Sequence, residues 1–323
     1  MSYISVSNLG KSYKVLKKNS KHPFHREYDY IPAIKNVSFD IERKDILGYI
    51  GPNGAGKSTT IKVLSGILKP DSGTCVVDGM VPWEDRKEYV KKIGVMFGQR
   101  SQLLWDLTPR DSFELLRGIY KVDSNAYKKS MTALVDMLDI GELLDKNVRQ
   151  MSLGQRIRCE LAATFIHDPS IVFLDEPTIG LDIETKRKFH SFIKEINQSR
   201  DVTLFITTHD LDDIQSLCNQ LIIINDGEVF FNDRMEKIFE YDMPASIEVE
   251  LADIENEFVL PDSISPDDVK VVERDGTKVK LQVSSSKNSG VIMRQIMDAN
   301  HVFSINSEKP RIDDIIHKIY QTF

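Results

Sequence analysis

Nine consecutive residues have types and spacing that could do chemistry: Gly51-Pro52-Asn53-Gly54-Ala55-Gly56-Lys57-Ser58-Thr59. They fit G-x-x-x-x-G-K-[ST] at every fixed position, a pattern whose backbone amides cradle phosphate. Ahead of them, residues 46–50 read as a short buried strand. Behind them, residues 60–68 read as a helix with Ile61, Leu64 and Leu68 on one face. A strand, a glycine-rich turn and a helix start aim N–H groups and a positive dipole end at one point, which suits an anion. Lys57 is expected to reach the β- and γ-phosphates of a nucleotide, and the Ser58 hydroxyl to hold Mg²⁺. A chance glycine-rich turn would lack this context.

Two further constellations fit the same chemistry. Ile171-Val172-Phe173-Leu174-Asp175-Glu176 is an apolar run ending in two acids. A carboxylate at the carboxyl end of a buried strand, beside a phosphate loop, would complete a Mg²⁺ shell through Asp175. Glu176 next to it could polarise an attacking water as general base. The competing reading is a strand that ends in a charged turn. Ser152-Leu153-Gly154-Gln155-Arg156 opens a helix, and a hydroxyl, a glycine and a helix start form a second anion-binding point. One nucleotide in one chain rarely needs two such ends. The economical reading is that the second serves a nucleotide held by another subunit; the alternative is a plain capped helix.

The elements that must position these groups are legible in outline. Residues 3–7 alternate as a strand, and apolar positions Ile34, Val37, Phe39 and Ile41 mark another. Residues 14–29 are basic and aromatic without a clear period; they read as an inserted surface hairpin or short helix. Either a solvated loop or a contact with anionic lipid headgroups or a membrane partner fits them. Strands at 74–77 and 93–97 follow. Helices are expected at 111–120, 127–138 and 152–165, making a helical subdomain over about 100–168. Continuous apolar runs at 171–174, 202–207 and 221–224, separated by helices, indicate a parallel sheet covered on both faces. Asn225-Asp226-Gly227-Glu228 is a hairpin turn. From 241 to 323 the texture changes: alternating strands near 247–251 and 279–283, and helices at 289–299 and 312–320, give a small α+β accessory domain with no chemical constellation.

Bulk properties set limits on partners. The 323 residues suffice for more than one domain, and the net charge of −7 argues against nucleic acid as a partner. Cys75, Cys159 and Cys218 are far apart, so neither zinc nor disulfides are indicated. Residues 1–6 are no secretion signal, and no apolar run approaches the ~20 residues of a membrane helix. The chain is expected to be soluble, with any membrane-spanning part supplied by other chains.

Six motifs in order carry a resemblance: the phosphate loop, Gln99, Ser152-Leu153-Gly154-Gln155, Asp175-Glu176, Ile179-Gly180-Leu181-Asp182 and Thr208-His209-Asp210. Over about residues 3–240 the chain resembles the nucleotide-binding subunit of ABC transporters. The resemblance implies a P-loop α/β fold with a mostly parallel core sheet, an antiparallel β subdomain and the inserted helical subdomain. It implies an ATPase using ATP and Mg²⁺, working as a dimer in which each ATP lies between residues 51–59 of one copy and 152–155 of the other. By position, Gln99 is similar to the glutamine that senses Mg²⁺ and water and couples to the membrane subunit. Asp182 falls in the loop that crosses the dimer interface, and His209 is similar to the switch histidine on the γ-phosphate. The adenine-stacking aromatic falls on Tyr13, with Tyr28 and Tyr30 as alternatives.

The chain departs from the family's L-S-G-G-Q, which is here Met151-Ser152-Leu153-Gly154-Gln155. That variant, residues 99–107 and the 14–30 insertion together resemble the ATPases of bacterial viologen- and multidrug-exporter systems. Leu103, Leu104 and Trp105 would lie where the family docks a permease helix, although a core role fits Trp105 as well. The implied protein is peripheral on the inner, cytoplasmic face of the cell membrane, bound to integral-membrane permease subunits that export drugs, lipids or other amphipathic compounds. A polysaccharide or teichoic-acid exporter, or an importer, is the alternative.

Overall fold

A computed structural model of the protein describes residues 2–16, 28–98, 101–240, 245–253, 258–284, 289–308 and 312–322. It divides into two compact units, Met1–Met235 and Glu236–Phe323.

The first unit begins with β1 (Ile4–Leu16) and β2 (Tyr28–Ile41), antiparallel from Ile4↔Ile41 out to Leu16↔Tyr28. The strands run on into the basic, aromatic stretch, so its described flanks form a hairpin, with Lys14 Nζ 3.9 Å above the Tyr28 ring. Residues 17–27 lie outside the described residues. Then come β3 (Ile46–Ile50), α1 (Lys57–Leu64), β4 (Ser72–Val77), α2 (Arg86–Tyr89) and β5 (Ile93–Phe97). The helical block holds α3 (Pro109–Tyr120), α4 (Ser124–Leu138) and α5 (Leu153–Phe165). The chain returns as β6 (Ile171–Asp175), α6 (Ile183–Arg200), β7 (Thr203–Thr207), α7 (Leu211–Leu217), β8 (Gln220–Asn225) and β9 (Glu228–Arg234).

Every residue of β3, β6 and β7 is buried. That is the pattern of parallel strands covered on both faces, where no side chain can be polar without a partner. They lie in a six-stranded sheet of order β5-β6-β7-β3-β8-β9, parallel except for the β8–β9 hairpin. After β3 the chain crosses to the β5 edge, steps back through β6 and β7, and then passes to β8 on the far side of β3. The carboxyl ends of β3, β6 and β7 therefore meet where the winding reverses, the place in an open α/β sheet where ligands bind. A separate sheet of order β2-β1-β4 packs against this one through Phe39, Tyr49 and Phe205. The Tyr49 and Phe205 centroids are 5.0 Å apart. The Tyr49 hydroxyl lies 3.2 Å from Thr60 Oγ1, which ties α1 to the strand before it.

Helix α1 begins at Lys57 rather than at residue 60. Gly56, at φ 103°, turns the chain directly into the helix, and Gly66, at φ 70°, closes it before Ile67. Helices α6 and α7 have no counterpart among the individually expected elements. The three cysteines are buried and free; burial pushes the thiols of Cys75 and Cys159 up to about 12.

The second unit contains β10 (Ala245–Leu251), β11 (Val269–Asp275), β12 (Lys278–Val283), α8 (Ser289–Ala299), β13 (Val302–Glu308) and α9 (Ile312–Thr322). Its sheet is antiparallel, of order β11-β12-β10-β13. That is the strand order of the split β-α-β-β-α-β fold. Ile247, Val249, Leu281 and Val283 face Ile292 and Ile296 of α8 in one apolar cluster. The opposite face carries Glu248 across from Lys280 and Glu250 across from Lys278. Neither β11 nor β13 stood out in sequence: only Val269 of β11 is buried, and β13 alternates weakly. Among the described residues, no helix is long and apolar enough to cross a membrane.

Candidate functional site

The carboxyl ends of β3, β6 and β7 frame a cleft of about 990 Å³. It is lined by Tyr13, by Gly51, Pro52, Asn53, Gly54, Gly56, Lys57, Ser58 and Thr59, and by Asp175, Glu176 and His209. Ala55 is the member of the loop that turns inward: it is 2% exposed, and its carbonyl accepts from Gly227 N at 3.1 Å. No side chain caps the start of α1 and no acid occupies its first turn. Its first amides thus present positive charge to the cleft without competition from the chain itself.

Lys57 is only 7% exposed. Its ammonium donates to Gly51 O at 2.6 Å and to Pro52 O at 3.3 Å, and it stands 3.6 Å from Glu176 Oε1. The same carboxylate meets His209 Nδ1 through Oε2 at 2.7 Å. Glu176 has φ 53°, a left-handed conformation that a non-glycine residue holds only when its surroundings enforce it. They do: Glu176 N donates to Thr207 O at 3.0 Å and to Thr207 Oγ1 at 3.2 Å. The Thr207 hydroxyl also donates to Asp175 Oδ1 at 2.7 Å, and Ser58 Oγ lies 3.3 Å from the same oxygen. Thr207 was not singled out in sequence. The one signal was its place as the last residue of an apolar strand before Thr208-His209.

The Ser58 hydroxyl and the Asp175 carboxylate are hard oxygen donors side by side at the foot of the phosphate loop. Among the described residues, no group of three or more His, Cys, Asp and Glu could hold a metal by itself. Such a sparse set fits Mg²⁺, which keeps waters and takes its other ligands from substrate phosphates.

Tyr13 lines the cleft, and its hydroxyl is 3.2 Å from Thr59 Oγ1, whereas Tyr28 and Tyr30 do not line it. Gln99 lies outside the described residues. Its neighbour Gly98 lines the cleft and donates its N–H to Asp175 O at 2.9 Å. Ser152, Gly154, Gln155 and Asp182 are not in the cleft wall. Ser152 and Gln155 close a capping box on α5, each bonding the other's backbone N–H at 3.2 Å. A Cβ on Gly154 would come 2.9 Å from Thr185 Oγ1 in the first turn of α6. Asp182 caps that helix through Thr185 N at 2.8 Å, and the two bonds from Thr185 hold its carboxyl below the ordinary range.

The "ABC transporter" family model matches residues 34–179. The chain is 30% identical over 217 residues to the ABC transporter ATP-binding protein NatA of Bacillus subtilis, covering 67% of this chain and 88% of that protein. It is 31% identical over 284 residues to the methionine import ATP-binding protein MetN of Latilactobacillus sakei, covering 85% and 80%. Among solved structures, the dimeric ATP-binding cassette MJ0796 bound to ADP and Pi in a post-hydrolysis state superposes with a TM-score of 0.62. It shares 26% identity and covers 72% of this chain and 98% of that one. The cleft, its phosphate loop and these likenesses agree: the chain belongs to the ABC transporter family, as an ATP-binding subunit that hydrolyses ATP with Mg²⁺.

Proposed function

We propose that this chain is the motor of an exporter, working as two copies that close on shared ATP and pull on separate permease subunits at the inner face of the membrane. Residues 1–240 are the nucleotide-binding domain and 241–323 an accessory domain. The observation that carries the reading is the division of the anion-binding ends. The cleft gathers the phosphate loop (all of 51–59 but the inward-turned Ala55), Asp175, Glu176 and His209, while the helix start at Ser152 lies elsewhere in the same chain. A second copy, related by a twofold axis, would bring its own Ser152, Gly154 and Gln155 to the open side of the cleft. The relative MJ0796 is described as dimeric, which supports this assembly.

Within the cleft, Lys57 and the first amides of α1 hold the β- and γ-phosphates and offset charge as it shifts toward the leaving oxygen. Tyr13 stacks on adenine. Ser58, Asp175 and Gln99 would hold Mg²⁺, which supplies charge neutralisation on the phosphates. Glu176 orients the attacking water and accepts its proton. His209, held to Glu176 Oε2, bonds the γ-phosphate. Asp182 sits at the subunit interface. Ser152 Oγ accepts from Gln155 N at 3.2 Å, which leaves its own proton free to donate to the nucleotide of the other copy.

Export is supported by likeness to the linearmycin resistance ATP-binding protein LnrL of Bacillus subtilis, 28% identical over 63% of this chain and 65% of that protein. Import is the second reading. The 284 matched residues of MetN exceed the length of the first unit, so that likeness extends into the second.

Glu176→Gln tests the site. It is expected to bind ATP, to lose turnover by about 10²–10⁴-fold, and to accumulate as a dimer with ATP on size-exclusion chromatography. Hydrolysis at the wild-type rate would refute the assignment of the base. Co-purification with a permease and an external substrate-binding protein would favour import.

A further inference from the structure

Asp213, near the start of α7, is 1% exposed and belongs to no motif recognised in the sequence. Its carboxylate joins three segments. Oδ2 accepts from Thr178 Oγ1, two residues after Glu176, and from Thr208 Oγ1 at 3.3 Å, one residue before His209. Oδ1 accepts from His190 Nε2 of α6 at 2.7 Å; a carboxylate can only accept, so this nitrogen carries the proton. Thr178 and Thr208 are 2% and 1% exposed, so water does not substitute for these bonds. Thr178 O also accepts from Leu181 N at 3.1 Å, and Thr208 Oγ1 from Asp210 N at 2.9 Å. One buried acid thus holds the turn after Glu176, the turn that carries His209 and the helix capped by Asp182.

His190 is the odd residue on its helix face. Phe189, Phe192, Ile193 and Ile196 of α6 are buried and apolar, and His190 places the one polar ring where the helix meets Asp213. One turn closer to Asp182, Lys186 pairs with Asp210. Two polar bridges a turn apart on α6 meet two acids three apart at the start of α7. That arrangement fixes both the rotation and the height of one helix against the other, which apolar packing alone leaves softer.

We propose that Asp213, oriented by His190, is a positioning residue: it sets His209 against Glu176 and passes any displacement of α6, and so of Asp182, to that pair. The inference rests on the catalytic roles given above to Glu176 and His209. Hydrogen bonds to a charged group that cannot be replaced by water are the strong ones, and a misplaced catalytic pair loses rate while nucleotide contacts stay.

The test compares His190→Phe with His190→Gln in the full chain by steady-state ATPase and by thermal unfolding. His190→Phe is expected to lower kcat about tenfold or more, with KM for ATP within about twofold. His190→Gln, which keeps a donor, is expected to retain kcat within about threefold. Thr178→Val against Thr178→Ser gives the same comparison from the other side of the carboxylate, should the phenyl ring prevent folding. A wild-type kcat in His190→Phe, or in Thr178→Val where the phenyl ring prevents folding, would overturn the proposal. So would KM rising in step with the loss of kcat, or equal impairment by the donor-keeping and donor-free variants. Glu176→Gln measured alongside separates the two levels: if it hydrolyses normally, the site reading fails, and if it is inactive while His190→Phe is normal, only the positioning role fails.

Discussion

Gly54→Ala and Gly56→Ala place the same methyl group in two different surroundings of the phosphate loop. Both glycines have positive φ, 88° and 103°. A side chain in that region costs roughly 1–2 kcal/mol at either position. The second term differs. A Cβ on Gly54 would meet nothing within 4 Å, whereas one on Gly56 would lie 2.3 Å from Ala33 O. That oxygen belongs to the backbone of β2 and cannot rotate away, so loop and strand must separate. Overpacking of this kind adds about 1–3 kcal/mol. Gly54→Ala should therefore cost about 1–2 kcal/mol and Gly56→Ala about 2–5 kcal/mol. Both tryptophans, Trp83 and Trp105, lie in the first unit, so their fluorescence in urea reports that unit alone. At a typical urea slope the two midpoints should differ by on the order of 1 M. The order reverses for ligand binding per unit of stability lost. Gly54 lines the cleft, and a methyl there would stand in open space at the phosphate-binding turn; it should weaken ATP by about tenfold or more although the fold tolerates it. Equal urea midpoints for the two variants would refute the close approach to Ala33 as the reason for glycine at 56. Unchanged ATP affinity in Gly54→Ala would refute the placement of the phosphates.

Two shorter predictions concern single side chains. Tyr13→Ala should weaken ATP binding by about tenfold, a stacking contact's worth, while Tyr30→Ala leaves it within about twofold; equal effects in an equilibrium titration would return the adenine to the alternatives. Glu160 of α5 is 4% exposed and accepts from Ser101 Oγ and Gln102 N; burial is the largest influence on its carboxyl and raises its pKa above the ordinary 4.5. A folded acid with a raised pKa favours the protonated form, so its contribution to stability is present below the ordinary value and is lost as pH rises from there through the raised value. Glu160→Gln should remove that downward slope from a stability-against-pH curve; a curve parallel to wild type would show that Glu160 does not titrate this way.

The phosphate loop was readable from sequence because its chemistry is carried by nine adjacent residues, mostly through backbone, and needs no distant partner. Asp175 and Glu176 were readable for a related reason: a fully apolar run that ends in two acids can hardly be anything but a buried strand reaching water at its carboxyl end. What local pattern could not supply was pairing. The order β5-β6-β7-β3-β8-β9 puts Thr207 beside Asp175, and nothing around Thr207 in sequence marks it. Strand register put Tyr13, and neither Tyr28 nor Tyr30, in the cleft wall: pairing Lys14 with Tyr30 leaves the latter 68% exposed, while the Tyr13 hydroxyl lies beside Thr59. Helix packing brought His190 to Asp213, residues 23 apart whose relation no motif records. The sequence determined which groups could bind and cleave a nucleotide, because composition and spacing along the chain are local properties. The tertiary structure decided which of them share one cleft, because strand order, register and helix rotation are set by the burial of the whole core and not by any segment of it.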